Sequence, residues 1–212
     1  MPRAIRSENP SDTPERILRA ALDAFSEKGF EGARTRDIAA RADVTLGLVQ
    51  YHFGNKEKLW KSAVERAFGD LQRRLDRVLA NPHARDERGL LRLLLRSHVD
   101  FVAENTEFIR IMHDEGKRRG PRMRWMADRY VKPLFDKITP LIVRAQEKGV
   151  LLPGIDPAHF VYIMVGAVGM IFHQAEECKR VAGLDPASPS AIAAHGRAVE
   201  ALFLGHTSEE KP

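Results

Sequence analysis

TRDIAARADVTLGLVQYHFGNKEKLW, Thr35 to Trp60, is the stretch on which the reading of this chain turns. Ile38, Ala39 and Ala42 recur with helical spacing in its first part, Val49 and Phe53 in its second, and Asp43-Val44 is a tight turn between them. Thr35 and Thr45 stand at the two helix starts, where a side-chain oxygen can cap an orphan N–H. Gly54-Asn55 stops the second helix, and Lys56 opens a longer one running to about Leu79. Two short helices held at an angle by a short turn make a helix-turn-helix. On a helical wheel Val49 and Phe53 point one way, Gly47, Leu48 and Tyr51 the other, with Gln50 and His52 flanking. A merely solvated face would carry Lys and Glu. This one is neutral, small and aromatic, a surface suited to a groove that offers hydrogen bonds and methyl groups. Two local costs point the same way. Gly47 gives up about 1 kcal/mol of helix propensity, and Lys56 sets a cation against a helix N-terminus. A close phosphate would give both a purpose.

Outward from that stretch, nearly every segment has helical period, and none alternates convincingly as a strand. Thr13-Pro14 opens a first helix whose apolar face is Ile17, Leu18, Ala21, Leu22 and Phe25, closing at Lys28-Gly29. After Asn81-Pro82 the helices become longer and greasier, near 87–103, 106–117, 121–148 (bent at Pro133 and Pro140), 157–181 and 189–205. The expected fold is all-α, about nine helices: a mobile arm at 1–12, a three-helix helix-turn-helix unit at 13–58, a helical bundle at 59–206 and a polar tail at 207–212.

The same residues resemble the DNA-binding signature of TetR-type transcriptional repressors. The shared features are the threonine-led helix with an inward Ile-Ala, the A-x-V-[ST] turn, a small residue, an aromatic-His-Phe, and a Lys-Glu-x-Leu entry to the fourth helix. The resemblance covers residues 13–68; beyond them only length, helix count and layout agree. It implies that Thr35 and Tyr51 hold phosphates, that Arg36 reaches a base edge, that Thr45, Leu46, Gly47 and Gln50 lie in the major groove, and that His52 and Lys56 anchor the backbone. Arg36 could equally be a solvated arginine, and Leu46, on the inner side of the wheel, could belong to the core. Two positions depart from the family pattern. Gln50 stands where an aromatic is common, which favours an amide pairing with adenine, and Asp43 replaces a turn glycine. Arg3 and Arg6 could enter a minor groove or belong to a tail without function.

Composition narrows the classes. The 212 residues include one cysteine, so no intrachain disulfide can form, and a reducing cytoplasm is expected. The longest uncharged apolar run, 160–172, is shorter than the ~20 residues of a membrane span. Net charge is +5, but residues 1–60 hold 10 Lys+Arg against 9 Asp+Glu while residues 61–150 hold 20 against 13. Bulk charge therefore does not mark the DNA-reading segment. No metalloprotease, P-loop, nucleophile-elbow or dinucleotide motif occurs, so no catalytic residue, metal ligand or cofactor is expected. The rival reading is a helical small-molecule or metal-binding protein or enzyme that does not bind DNA; His173 and Glu176 give it one H-x-x-E pair.

A single helix-turn-helix reads a half-site, so the expected partners are a double-stranded operator and a second copy of the chain. The candidate dimer surface is the last two helices: Val161, Val165, Gly166, Gly169, Met170, Val199, Leu202 and Phe203. A mostly apolar small-molecule effector is expected between helices of the larger unit. Its candidate lining is Phe101, Met112, Trp125, Met126, Tyr130, Met164 and Phe172, with His98 and His173 as polar points. The run KRRGPRMR, 117–124, either attracts an anionic group or is a solvated junction.

Overall fold

A glycine sets the first element. In the computed structural model, which describes residues 13–82 and 86–205, α1 (Thr13–Gly32) is broken near its end by Gly29 at φ 67°, ψ 174°. Only glycine holds that backbone without strain. The turn it makes folds Phe30 back towards the rest of the helix, so that its ring stacks on Phe25 at 5.9 Å and meets Trp60 edge-on at 6.2 Å. α2 (Thr35–Arg41) and α3 (Leu46–Phe53) follow, joined by Asp43 at φ 53°. The Thr45 hydroxyl accepts from the Leu48 N–H at 3.3 Å, and the Asn55 side chain caps α4 (Lys56–Leu79) by accepting from Lys58 N–H at 2.9 Å. The expectation for Thr35 needs correcting: Arg34 occupies the cap position without a side-chain bond, and Thr35 is the first helical residue.

The remaining helices are α5 (Glu87–Glu104), α6 (Thr106–Gly116), α7 (Pro121–Met126), α8 (Lys132–Glu147), α9 (Pro157–His173), α10 (Ala175–Ala182) and α11 (Pro189–Leu204). Every regular element among the described residues is helical. Among the described residues eleven α-helices stand where about nine were expected, because two of the long segments divide. The 121–148 segment is interrupted by a π-helical turn, Ala127–Val131, not by a bend at each proline. Pro133 has no N–H to offer the carbonyl four residues back, so the irregular turn forms just upstream and Pro133 sits in the first turn of α8. α8 continues through Pro140. The 157–181 segment turns by 72° between α9 and α10, where apolar period gives way to a helix with no buried residue.

α1 packs on both α4 and α6, and α5 is the central helix of the bundle, against α4, α9 and α11. Buried side chains form one continuous cluster from Ile17 to Leu204, with no apolar seam between the reading unit and the bundle. Trp60, 1% exposed, links the two: it meets Phe30 on one side and Trp125 at 5.8 Å on the other. The expected arm at 1–12, with Arg3 and Arg6, and the tail at 207–212 lie outside the described residues.

A Cβ built on Gly29 would meet no atom within 4 Å, so the cost of a side chain there is that of the backbone alone. Gly29→Ala should lower unfolding free energy by about 1–3 kcal/mol in a urea titration with an unchanged m-value; an unaltered midpoint would show that the turn does not depend on glycine.

Candidate nucleic-acid interface and effector cavity

Only Val49 of α3 is fully buried; Leu46, Leu48 and Phe53 are half-buried. Leu46 and Phe53 pack against the core formed by α1, α2 and α4. The side away from that core carries Thr45, Gly47, Gln50, Tyr51 and His52, all exposed. Tyr51 is 82% exposed and is supported only by the edge of His52 at 5.2 Å. An aromatic ring left that open gains nothing from folding. At the start of α2, Arg36 is exposed and Thr35 half-buried, and among the described residues no carboxylate meets Arg36. Leu46, open between core and groove on sequence, therefore has its side chain against the core and its backbone at the N-terminus of α3.

Three sets of contacts that sequence did not identify hold α2 and α3 from behind. Arg16 donates to the carbonyls of Ala42 and Asp43 at 2.7 and 3.0 Å, fixing the turn. Arg41 grips Glu27 through both guanidinium nitrogens at 3.0 and 2.8 Å, which holds the Glu27 carboxyl below its usual range. Lys28 meets Asp37 at 3.2 Å. Lys56 is not free at its helix start: its ammonium donates to the Glu31 carbonyl at 3.1 Å and lies 4.7 Å from the Phe30 ring centre. Arg122, from the run 117–124, covers the same ring at 4.0 Å. It also pairs with Glu115 at 2.9 Å, a carboxylate only 6% exposed, and with Glu31 at 3.7 Å. Phe30 and Glu31 thus connect α4's first residue to α6 and α7. The basic run holds a structural clamp that its sequence, as a charge cluster, did not reveal.

The bundle holds a solvent-open cavity of about 610 Å³ walled almost wholly by apolar side chains of α4 to α9, with Leu204 of α11. His98, Phe101, Met112 and Met164 are on its wall. Five other expected lining residues are placed elsewhere. Met126 is fully buried, Trp125 lies between Trp60 and Tyr130, and Phe172 packs on His195 at 5.6 Å. Tyr130 stacks on Phe68 at 4.6 Å and donates to Glu65 at 2.7 Å. His173 is held edge-on to His113 at 4.4 Å, and it is His113 that reaches the wall. His173 does not share a face with Glu176, which lies beyond the α9–α10 bend and pairs with Lys179 at 3.4 Å. Sequence spacing alone could not tell wall from filling, since both need bulky apolar residues. Leu71, Leu94 and Ile138, also on the wall, carried no distinguishing signal.

His98 is enclosed by α5 and its neighbours, and its Nε2 has no hydrogen-bond partner. Burial pushes the imidazole down to about 4, so the ring is neutral near pH 7. Burial, then the neighbouring His173 and Lys117, also lowers His113.

Of the expected dimer residues, Met170 and Leu202 are exposed, Leu202 at 69%, and Val165 is partly so. Val161, Gly166 and Phe203 are half-buried, Phe203 against Phe160 at 5.3 Å. Val199 and Gly169 are buried, Val199 at 2% because α11 turns that side towards the bundle, so neither offers a free surface in this chain. Tyr162 and Ile163, at 72% and 54% exposure, extend the apolar face of α9. Exposed Ala193, Ala194 and Ala198 give α11 a smooth face. Among the described residues no single helix is long and apolar enough to cross a membrane.

The model of the bacterial regulatory proteins, tetR family, matches residues 17–63, and that of the tetracyclin repressor-like C-terminal domain matches residues 88–202. The chain is 28% identical over 171 residues, 77% of each protein, to the HTH-type transcriptional repressor NicS of Pseudomonas putida. The solved structure of AibR in complex with isovaleryl coenzyme A and operator DNA superposes with a TM-score of 0.73 at 20% identity, covering 92% of this chain and 100% of that one. The regulator FadR of Bacillus subtilis, in complex with stearoyl-CoA, gives 0.66 at 17% identity, covering 91% and 99%.

The histidines set an acid limit. A group whose value in the folded state lies below its unfolded value of about 6.5 leaves the folded chain with fewer protons, so stability is whole above pH 6.5 and falls towards pH 4. His98 accounts for at most about 3 kcal/mol of that loss. Thermal unfolding between pH 4 and 7 should show a Tm that falls with acid, and His98→Leu should flatten the fall; an equal slope in both proteins would remove His98 as its source.

Proposed function

This chain belongs to the tetR family of bacterial regulatory proteins and is a DNA-binding transcriptional regulator; from that premise we propose that it acts in the cytoplasm as a repressor, two copies reading a palindromic operator and leaving it when an apolar effector fills the bundle. The observation that carries this is the outer face of α3, where glycine, glutamine and an 82%-exposed tyrosine stand clear on a helix held firmly from behind. In that reading Thr45, Gly47 and Gln50 lie against base edges, Leu46 contributes its backbone, and Arg36 enters from α2. Thr35, Tyr51 and His52 take phosphates. Lys56 reaches a phosphate from the start of α4, where the helix dipole also favours an anion.

The apolar faces of α9 (Tyr162, Ile163, Met170) and α11 (Leu202) support pairing of two copies through these helices. The cavity supports an effector, and two proteins of the same fold are solved with an acyl-CoA, isovaleryl coenzyme A in one and stearoyl-CoA in the other. The proposed coupling runs through the clamp. A ligand between α4 and α6 displaces α6 and α7, Arg122 moves with them, and Phe30 and Glu31 carry the shift to Lys56. Its size is set by the ligand's differential affinity for the two arrangements.

Selection from a random DNA pool should yield a palindrome whose half-sites are separated by a helical turn; absence of any enriched sequence at moderate salt would overturn the DNA-reading face. A Cβ on Gly47 meets only Thr45 Oγ1, at 3.9 Å, within the free protein. Gly47→Ala should therefore raise stability by about 0.5–1 kcal/mol while weakening operator binding at least tenfold. A tighter or unchanged operator complex would place Gly47 outside the contact. Lys56→Ala should reduce the slope of log K against log salt by about 0.9 per subunit, and an unchanged slope would leave Lys56 as a structural clamp only.

A further inference from the structure

The clamp on Phe30 uses only part of the basic run 117–124. That run carries five cations and no carboxylate. Arg122 is engaged by Phe30, Glu115 and Glu31, and Lys117 pairs with Asp114 at 3.6 Å. Arg118, Arg119 and Arg124 are exposed, and among the described residues no carboxylate meets any of them. Both Arg118 and Arg119 belong to the segment 61–150, which holds the chain's positive excess, 20 Lys+Arg against 13 Asp+Glu.

The fold places this run at the end of the bundle nearest the start of α4. α6 lies along α1 in the same direction: Glu107 is within electrostatic range of Asp23, Arg110 of Glu27, and Glu115 joins Glu31 through Arg122. The chain that leaves α6 therefore emerges beside the end of α1, next to which α2 starts at Thr35 and α4 at Lys56. Arg122 and Lys56 stand 4.0 and 4.7 Å from the centre of the one Phe30 ring. Lys61, in the second turn of α4, reaches the Trp125 ring at 5.6 Å. Arg119 is three residues from Arg122, at most about 11 Å of chain. Arg124 is placed differently. Two residues beyond Arg122, it lies about 200° further round α7, on the side away from α1.

We propose that Arg118 and Arg119, which belong to the bundle and not to the helix-turn-helix, make a further contact of each subunit with the operator, on the phosphate backbone beside the start of α4. Two exposed, unmatched guanidinium groups next to each other are complementary to a polyanion. Phosphate contacts carry no sequence information, so this surface raises affinity and its salt dependence and leaves base preference to α3. The inference rests on the proposed DNA reading by α3 and adds a second surface to it.

The test is the salt dependence of binding to the palindrome recovered by selection, measured with the full-length protein between about 50 and 200 mM salt. Arg118→Ala/Arg119→Ala should lower the slope of log K against log salt by about 1.8 per subunit. Its Tm and its selected sequence should match the parent's, because exposed side chains without partners add little to the fold. Arg118→Lys/Arg119→Lys, which keeps both charges, should keep the parent's slope. Arg124→Ala removes an equally exposed charge from the other side of α7 and should leave the slope within about 0.3 of the parent's. An unchanged slope for Arg118→Ala/Arg119→Ala, or an equal fall for Arg124→Ala, overturns this inference while the palindrome and the reading of α3 stand. A parent protein that enriches no sequence overturns both.

Discussion

An eight-residue helix is not stable in water by itself, because so few hydrogen bonds do not offset the cost of nucleation. The constraint on α3 is harsher still, since its outer face must stay free of the side chains that would make it comfortable in solvent. Its stability has to come from one side only. Val49 and half of Leu46 and Phe53 supply the apolar contact. Thr45 caps its start, and Arg16 holds the preceding turn by two backbone carbonyls. The ion pairs Arg41–Glu27 and Lys28–Asp37 then fix α2, against which the turn is set. α1 is the platform for all of this, and its long apolar face is buried to do it.

That same α1 also touches the bundle, and the contact is concentrated in the few residues after Gly29. A left-handed turn places one phenylalanine and one carbonyl where both cations, Lys56 and Arg122, converge on them. Cation–π contacts of this sort are worth about 0.5–2 kcal/mol each, enough to bias an arrangement and weak enough to be rearranged. A switch needs contacts of that size. Glu115 makes the Arg122 side firmer, since a carboxylate 6% exposed is tolerated only while its guanidinium stays with it.

In the bundle the trade runs the other way. Leu, Phe and Met side chains could have closed on one another, yet a cavity of about 610 Å³ is left among them, and His98, one of its lining residues, keeps a buried Nε2 without a partner. Cavities and orphaned polar atoms both cost stability. Both are retained in an otherwise close-packed cluster. The cavity wall includes α4 and α6, two of the helices that α1 packs upon.

Local pattern in the sequence was enough for an all-helical chain, the helix-turn-helix and the residues on the outer face of α3. Each of these follows from periodicity, capping or backbone sterics acting over a few residues. It was also enough to suggest a cavity and a paired α9–α11 face, but not their membership. Trp125, Tyr130 and Val199 have the same chemistry as residues that line the cavity or lie exposed, and only packing separated them. Tertiary structure alone placed Arg34 rather than Thr35 at the cap of α2, divided the 121–148 and 157–181 segments, and made Arg122 and Lys56 partners on one ring. Those outcomes depend on which distant surfaces meet, and side chains that meet Phe30 from 26 and 92 residues away leave no periodic trace in the chain that carries them.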